Sequence, residues 1–471
     1  MTFGIILPIV AGGIGSPEAN NPCYAENESF PNGHVYRALV QKSVAGTYNI
    51  FLLSSYDWGQ TWEEEQVTFN TGGNTTGHQY VGSISTDLAG TGTHIVWWGL
   101  GYHQHPHKTY YPSQDHMYSV LYKYRDASGV WSPANCTPYT HDATLAVVDY
   151  GGDMHYGDYH PDFVKQASCM VPCIDIDSNG DIHCANEHYG SWNSISRSRW
   201  YDVWYRKLNV ATGVWGDTAW FDYCNGTVSD MGRPNLQVDS YDNPHITMTI
   251  KDPIGTWYYD AYTTCWICND NGGALDDWPH ISRTGTRLWG NFPIADDCAE
   301  LLHDIPYGSA GTPSYYHRMA LSPMYLWDTR TPPIGFPHCI YNVNDPLNAK
   351  YGTYHKYMDA TGWHEVRVGT VGHAPYPSIA LGVDGMIYAL TRSASSANYD
   401  YYKKSLPADA WSTLETIASV AYPRQVHQRL PVHYPWDGQD CSPFMASQSG
   451  WAKLFRCGYP PSGITGYGYF M

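Results

Sequence analysis

Charge is what this sequence has least of. Only 15% of its 471 residues are Asp, Glu, Lys or Arg, with 26 basic against 44 acidic, for a formal net charge of −18. A field of that sign repels phosphate backbones and anionic lipid, and no polybasic run overrides it, so nucleic acid is excluded as a partner. No apolar run reaches 18 residues, so no segment reads as a membrane span. No Pro/Ser-rich or charged linker divides the chain either, and the length prior of about three domains competes with one large repeat architecture. The 12 cysteines are too thinly spread for the disulfide framework of a small secreted module and leave the redox compartment open. The N-terminal stretch MTFGIILPIVAGGIGS has an apolar centre like that of a signal peptide but lacks its basic flank. If retained, this strand needs cover from the rest of the fold or from a partner protein.

What is abundant points to β structure. Gly (45) and Pro (31) supply turns, while Tyr (41) and Trp (19) suit pleated, half-buried surfaces. A two-part unit recurs along the chain. Its first part is an apolar hairpin with a small or acidic turn, as in DIDSNGDIH, QVDSYDNPHIT and GVDGMIYA. Its second part is a polar, aromatic hairpin whose Gly turn leads into Trp, placing Trp62, Trp131, Trp215, Trp363 and Trp411 at matching positions. Seven such units fit the chain. Four strands per unit predict an all-β, seven-bladed β-propeller of antiparallel blades over residues 31–471, with few helices. Residues 1–30 form an N-terminal apolar extension, set on the propeller edge or docked on a partner. Long loops at 99–116, 132–168 and 284–314 are expected on one face, where a binding site is built.

The stretch SSYDWGQTW fits S-x-D-x-G-x-T-W without mismatch. Asp57 is suited to accept turn amides, Gly59 to take positive φ, and Trp62 to pack between blades, with Ser55 and Thr61 completing the turn. The motif resembles the Asp box, or BNR repeat, of the sialidase superfamily, where it lies on the outside of the propeller and is structural. The resemblance extends to Tyr36-Arg37-Ala38-Leu39-Val40, placed where sialidases carry a carboxylate-binding arginine, so Arg37 is a substrate-carboxylate candidate. The rest of an arginine triad and the paired Tyr and Glu of the nucleophile cannot be placed in this chain, which argues against sialidase chemistry.

Histidine, at 22 residues, clusters after strand ends. GLGYHQHPHK carries His103, His105 and His107, and ANEHYGSWNSISRSRW carries His188, Tyr189, Arg197 and Arg199. An Arg that neutralises a uronate and a His or Tyr that moves a proton are what β-elimination from an acidic sugar needs. The pattern resembles the seven-bladed BNR-type polysaccharide lyases, including ulvan lyases. That resemblance implies His103 and His188 or Tyr189 for proton transfer, Arg199 or Arg233 for the carboxylate, and His78 as a further wall. The alternative is that these are solvent-facing residues or a non-catalytic sugar platform.

Asp175, Asp177, Asn179 and Asp181 match the start of a calcium loop and equally a hairpin with an Asn-Gly turn. Cys265 and Cys268 with Cys169 and Cys173 make a zinc set only if separate blades converge; buried thiols or local disulfides are the simpler reading. Two functions stay open. One is a glycan-interacting propeller, extended to a lyase on an acidic polysaccharide. The other is a non-catalytic structural or receptor-binding propeller of a cell surface or virion.

Overall fold

The computed structural model describes residues 4–8, 26–29, 36–44, 47–56, 61, 63–69, 79–87, 91–101, 117–132, 147–149, 166–191, 199–216, 219–221, 230–252, 261–269, 299–305, 317–322, 336–345, 349–359, 361–368, 377–381, 386–392, 399–405, 410–417, 426–427, 444–448 and 451–456. Among these residues there is no helix. After β1 (Gly4–Pro8), strands β2 (Glu26–Ser29), β3 (Tyr36–Val44), β4 (Thr47–Ser55) and β5 (Glu63–Gln66) form an antiparallel sheet in that order. Next come β6 (Gln79–Thr86), β7 (Thr93–Gly101) and β8 (Met117–Arg125), with β9 (Trp131–Ser132) and β10 (Val147–Asp149) on the outer edge of β8. A nine-stranded sheet holds β11 (Gln166–Ile176), β12 (Ile182–Ser191) and β13 (Arg199–Asn209), with β14 (Val214–Trp215) and β15 (Ala219–Phe221) along β13. It continues through β16 (Asp230–Val238), β17 (Pro244–Asp252), β18 (Ala261–Cys268) and β19 (Ala299–Ile305). A single parallel pair, Tyr201 with Asp230, joins its two antiparallel groups.

Two four-stranded sheets follow. One is β20 (His317–Ser322), β21 (Phe336–Asp345), β22 (Lys350–Asp359) and β23 (Gly362–Arg367); the other is β24 (Ser378–Leu381), β25 (Met386–Arg392), β26 (Tyr399–Ser405) and β27 (Ser412–Ile417). In the last sheet β28 (Val426–His427), β29 (Phe444–Gln448) and β30 (Trp451–Arg456) take β1 as their outer strand, Gly4 opposite Arg456 and Ile5 opposite Phe455. β2 belongs to the first sheet, so a boundary at residue 30 falls inside that sheet. Its sequence Glu-Asn-Glu-Ser has no apolar alternation to mark it as a strand.

The first strands of successive groups, β2, β6, β11, β16, β20, β24 and β28, touch one another in turn, and β28 touches β2. A first strand leaves one edge of its sheet without a ladder partner, and buried amides there need acceptors. Side chains of the preceding group supply them. Ser83 Oγ accepts from Ile174 N (3.1 Å), Asp175 Oδ2 from Val238 N (2.7 Å), Asn235 Oδ1 from Met319 N (2.9 Å) and Gln237 Oε1 from Leu321 N (3.0 Å).

Between the sheets the core is apolar, and four of the repeated tryptophans face it. Trp131 packs on a cluster of Leu39, Ile50, Leu52 and Trp97. Trp215 meets Tyr122 edge-on at 5.7 Å, Trp363 meets Trp266 at 5.3 Å, and Trp411 meets His355 at 5.2 Å, each contact crossing from one group to the one before it. Glu65 adds a polar clasp, accepting from Arg125 Nε (2.7 Å) and Trp131 Nε1 (2.6 Å).

Candidate active site

One end of the nine-stranded sheet gathers four of the candidate residues by backbone register. His188 pairs with Asp202 and Cys169, Tyr189 with Tyr201 and Ser168, and Arg199 with Ser191. β16 begins at this end, because Asp230 pairs with Tyr201. Arg233 lies three residues further on, inside a register shift between Gly232 and Asn235. There Arg233 and Pro234 stand against the single residue Met248, and a proline, which has no N–H to lose, suits such a bulge.

The same feature recurs on the neighbouring first strands. β11 shifts register between Met170 and Cys173, and β6 between Val81 and Ser83. Val171 takes φ +48° in its bulge. The bulges of β6 and β11 touch: a Cβ on Gly82 would meet Pro172 Cγ and Val96 O at 2.6 Å each. Bulges re-aim the chain beside functional sites and are also plain devices of sheet curvature.

Other candidates lie elsewhere. His78, His103, Asp57, Gly59 and Trp62 fall outside the described residues. Of the Asp-box stretch, Ser55 ends β4 and Thr61 is exposed. Arg37 is a correction: it is 2% exposed, and its guanidinium holds a turn of the next sheet. Nη1 donates to Gly92 O (2.9 Å) and to Thr93 Oγ1, and Nη2 to Thr91 O (2.9 Å). An arginine spent on buried carbonyls in this way is not open to a substrate carboxylate.

The calcium reading is corrected in the same manner. Asp177 Oδ1 accepts from Asn179 N and Asp181 N (both 2.9 Å), and Oδ2 meets His183 Nε2 (3.2 Å) and Lys207 Nζ (2.7 Å). Asp175 accepts from Ile176 N (2.9 Å) and Val238 N, and Asp181 Oδ1 from Val210 N (3.0 Å). Asn179 is exposed, and Gly180, at φ +84°, closes the turn. These oxygens serve a hairpin. Among the described residues no group of three or more His, Cys, Asp or Glu is arranged to hold a metal ion. Cys173, Cys184, Cys265, Cys268 and Cys339 are buried free thiols, and burial pushes Cys265 up to about 12.

A set of buried histidines emerges that sequence reading did not single out. In each of three sheet groups an Asp at the end of the first strand and a His at the start of the second are followed by an aromatic on the third. His183 lies between Asp177 and Tyr205, whose Oη is 2.7 Å from Nδ1. His245 lies between Asp239 (3.0 Å) and Trp266, whose Nε1 donates to Nδ1 (3.2 Å). Trp266 can only donate, so the His245 proton sits on Nε2 and points at Asp239. His94 is 2.7 Å from Tyr122 Oη. The signal was available in the spacing, six residues from Asp177 to His183 and six from Asp239 to His245.

These groups are closed to proton exchange with substrate. Burial holds His94 down to about 3, which the charge of Asp87 only partly offsets, and burial likewise lowers His183. Burial alone would raise Asp177, but hydrogen bonds from His183 and Lys207 outweigh it and hold the carboxyl well below the usual range. A similar unit repeated in three groups of strands and sealed from solvent supports the fold rather than one reaction.

No protein-family model matches the chain, and a search of curated proteins gives no match. Solved structures do resemble it. An ulvan lyase of a polysaccharide lyase family, bound to -[GlcA(1-4)Rha3S]-, aligns with a TM-score of 0.52 at 12% identity, covering 97% of this chain and 95% of its own. Another polysaccharide lyase aligns at 0.51 and 10% identity, covering 94% and 90%. An α-L-arabinanase of Penicillium chrysogenum complexed with arabinobiose aligns at 0.50 and 10% identity, covering 97% and 99%. No helix among the described residues is long and apolar enough to cross a membrane. At such identities the likeness is one of architecture, and the all-β sheets of this chain have the β-propeller fold.

Proposed function

We propose that the chain is a seven-bladed β-propeller that cleaves an acidic polysaccharide by β-elimination. The unbroken succession of contacts from β2 through β28 and back to β2 supports the blade count. The observation that carries the chemistry is the register that brings His188, Tyr189, Arg199 and Arg233 to one end of neighbouring strands. The fold shared with two polysaccharide lyases adds weight to it.

In this reading Arg199 or Arg233 neutralises a uronate carboxylate and so acidifies the C5 proton. His188 or Tyr189 removes that proton, and His103 delivers one to the leaving oxygen while the C4–O bond breaks and a C4=C5 double bond forms. His78 contributes to the wall. The net charge of −18 makes a local basic patch necessary for an anionic chain. A polysaccharide substrate places the protein outside the cell or on a cell or virion surface. The pairing of β1 with β30 gives the N-terminal strand a place within the fold, which weakens the case for an assembly protein docked through it.

The test is incubation with a panel of uronate-containing polysaccharides, following the ultraviolet absorbance of the unsaturated product. The expected result is turnover that His188→Ala and Tyr189→Phe each reduce by about 10²–10⁴-fold, with glycan binding retained. Binding without any absorbance change in the parent protein would establish the non-catalytic alternative instead.

A further inference from the structure

The fifth group of strands departs from the Asp–His–aromatic pattern. His338, on β21, holds the place of His183 and His245 near the start of a second strand, and its ring partner on the third strand is another histidine. His338 Nδ1 is 3.2 Å from His355 Nε2, and the rings stack at 5.3 Å with 16° between planes. Tyr357 continues the stack, 4.8 Å from His355 and 5.7 Å from His338, and His364 lies beyond it at 5.1 Å. From the next sheet Trp411 meets His355 edge-on, and Lys404 Nζ sits 4.0 Å over the Tyr357 ring.

The charge of Lys404 acts on both rings and disfavours their protonation. Both histidines are fully buried, and neither His338 Nε2 nor His355 Nδ1 has a hydrogen-bond partner among the described residues. The acidic side chains on the adjoining strands bond other partners, and the charge of Asp359 favours protonation of His338 less than burial and Lys404 oppose it. Asp359 is bonded to Thr361 and His364, Glu365 to Lys350 and Tyr341, and Asp400 to Tyr402. The rest of the seam is apolar, made of Ala320, Ile340, Ile379, Ile387 and Ala389 with Tyr402.

We propose that the seam between the β20–β23 and β24–β27 sheets is an acid-operated joint, opening on uptake of two protons, one by each of His338 and His355. One N–H···N bond joins the neutral pair, but two imidazolium rings cannot face each other beside Lys404. At the His183 and His245 seams a carboxylate within hydrogen-bond distance meets any added charge. Burial holds His338 at about 3 and His355 well below its ordinary value, so the closed seam takes up no proton near pH 5. An exposed histidine of ordinary pKa favours the open form about 30-fold at pH 5, and two favour it about 1,000-fold.

Hydrogen exchange followed by mass spectrometry on the full chain, from pH 7.5 to 5 and corrected for intrinsic exchange, tests this. Amides of β24 and β25 should open with a pH slope approaching two protons, and those of β11 and β12 with one at most. His355→Phe, which keeps a stacked ring, should reduce the slope at the seam to one. Lys404→Met should keep the slope at two over this range with its onset unchanged, because the histidines of the open form set both. A slope of one or zero in the parent protein, or the same slope at every seam, would overturn the proposal.

Discussion

Asp177 shows how much of this molecule is decided by single buried acids. It answers two turn amides, one histidine and one lysine, so removing it strands four partners at once. Asp177→Ala should cost about 3 kcal/mol, the lower end for breaking a buried pair, because Lys207 is partly exposed and can turn to solvent. Asp177→Asn keeps an acceptor for the turn amides and should cost about half as much. Urea unfolding at pH 7 checks both values. The pH dependence has a definite sign. A carboxyl held low stabilises the fold above its unfolded value near 3.8, and a histidine held low by burial stabilises it above 6.5; both contributions are lost as pH falls. Parent stability should therefore fall steadily below pH 6.5, and a urea midpoint that rose on acidification would contradict this account of the buried histidines.

At the scale of elements, strand pairing was legible because the units alternate apolar and polar residues around Gly or Asn turns. The 177–181 turn is where the sequence indicated it. The phase of the first unit was not legible. The hairpin of β3 and β4 reads as an opening pair, yet it forms the two middle strands of its sheet, because polar β2 precedes it. Arg37 misled for a related reason: a local Tyr-Arg motif says nothing of the neighbouring turn that its guanidinium grips. The role of Asp175 was hidden too, since the amide it accepts belongs to Val238, 63 residues away. Such contacts between first strands demand tight approach, and Gly82 is the clearest instance. Gly82→Ala puts a methyl 2.6 Å from both Pro172 Cγ and the Val96 carbonyl. The carbonyl belongs to a paired strand and has little room to yield, so a loss of about 1–3 kcal/mol is expected from overpacking. Thermal unfolding would show it, and an unchanged midpoint would mean that β6 and β11 are not in register contact.

The whole molecule depends on joining its two ends. The last sheet draws three strands from residues 426–456 and its outer strand from residues 4–8, so β1 ties the N-terminal segment to the C-terminal one. A chain whose groups otherwise touch only their neighbours has one place where a short strand controls cooperativity for all of them. Deleting residues 1–8 would uncover the β30 edge, Trp451–Arg456, as a row of unpaired amides and carbonyls open to another chain. The truncated protein should unfold at lower temperature and form dimers at high concentration, read by calorimetry and by light scattering after size exclusion. A synthetic peptide of residues 1–8 should raise stability with the logarithm of its concentration, by about 2.7 kcal/mol at a hundredfold excess over its dissociation constant. A peptide of the same composition in scrambled order should not restore it, because Ile5 and Ile6 pair with Phe455 and Leu454 only in one register. If truncation left the midpoint and the oligomeric state unchanged, closure would have to rest on the β28–β2 contact alone. The N-terminal strand would then be an addition to the ring and no part of what holds it shut.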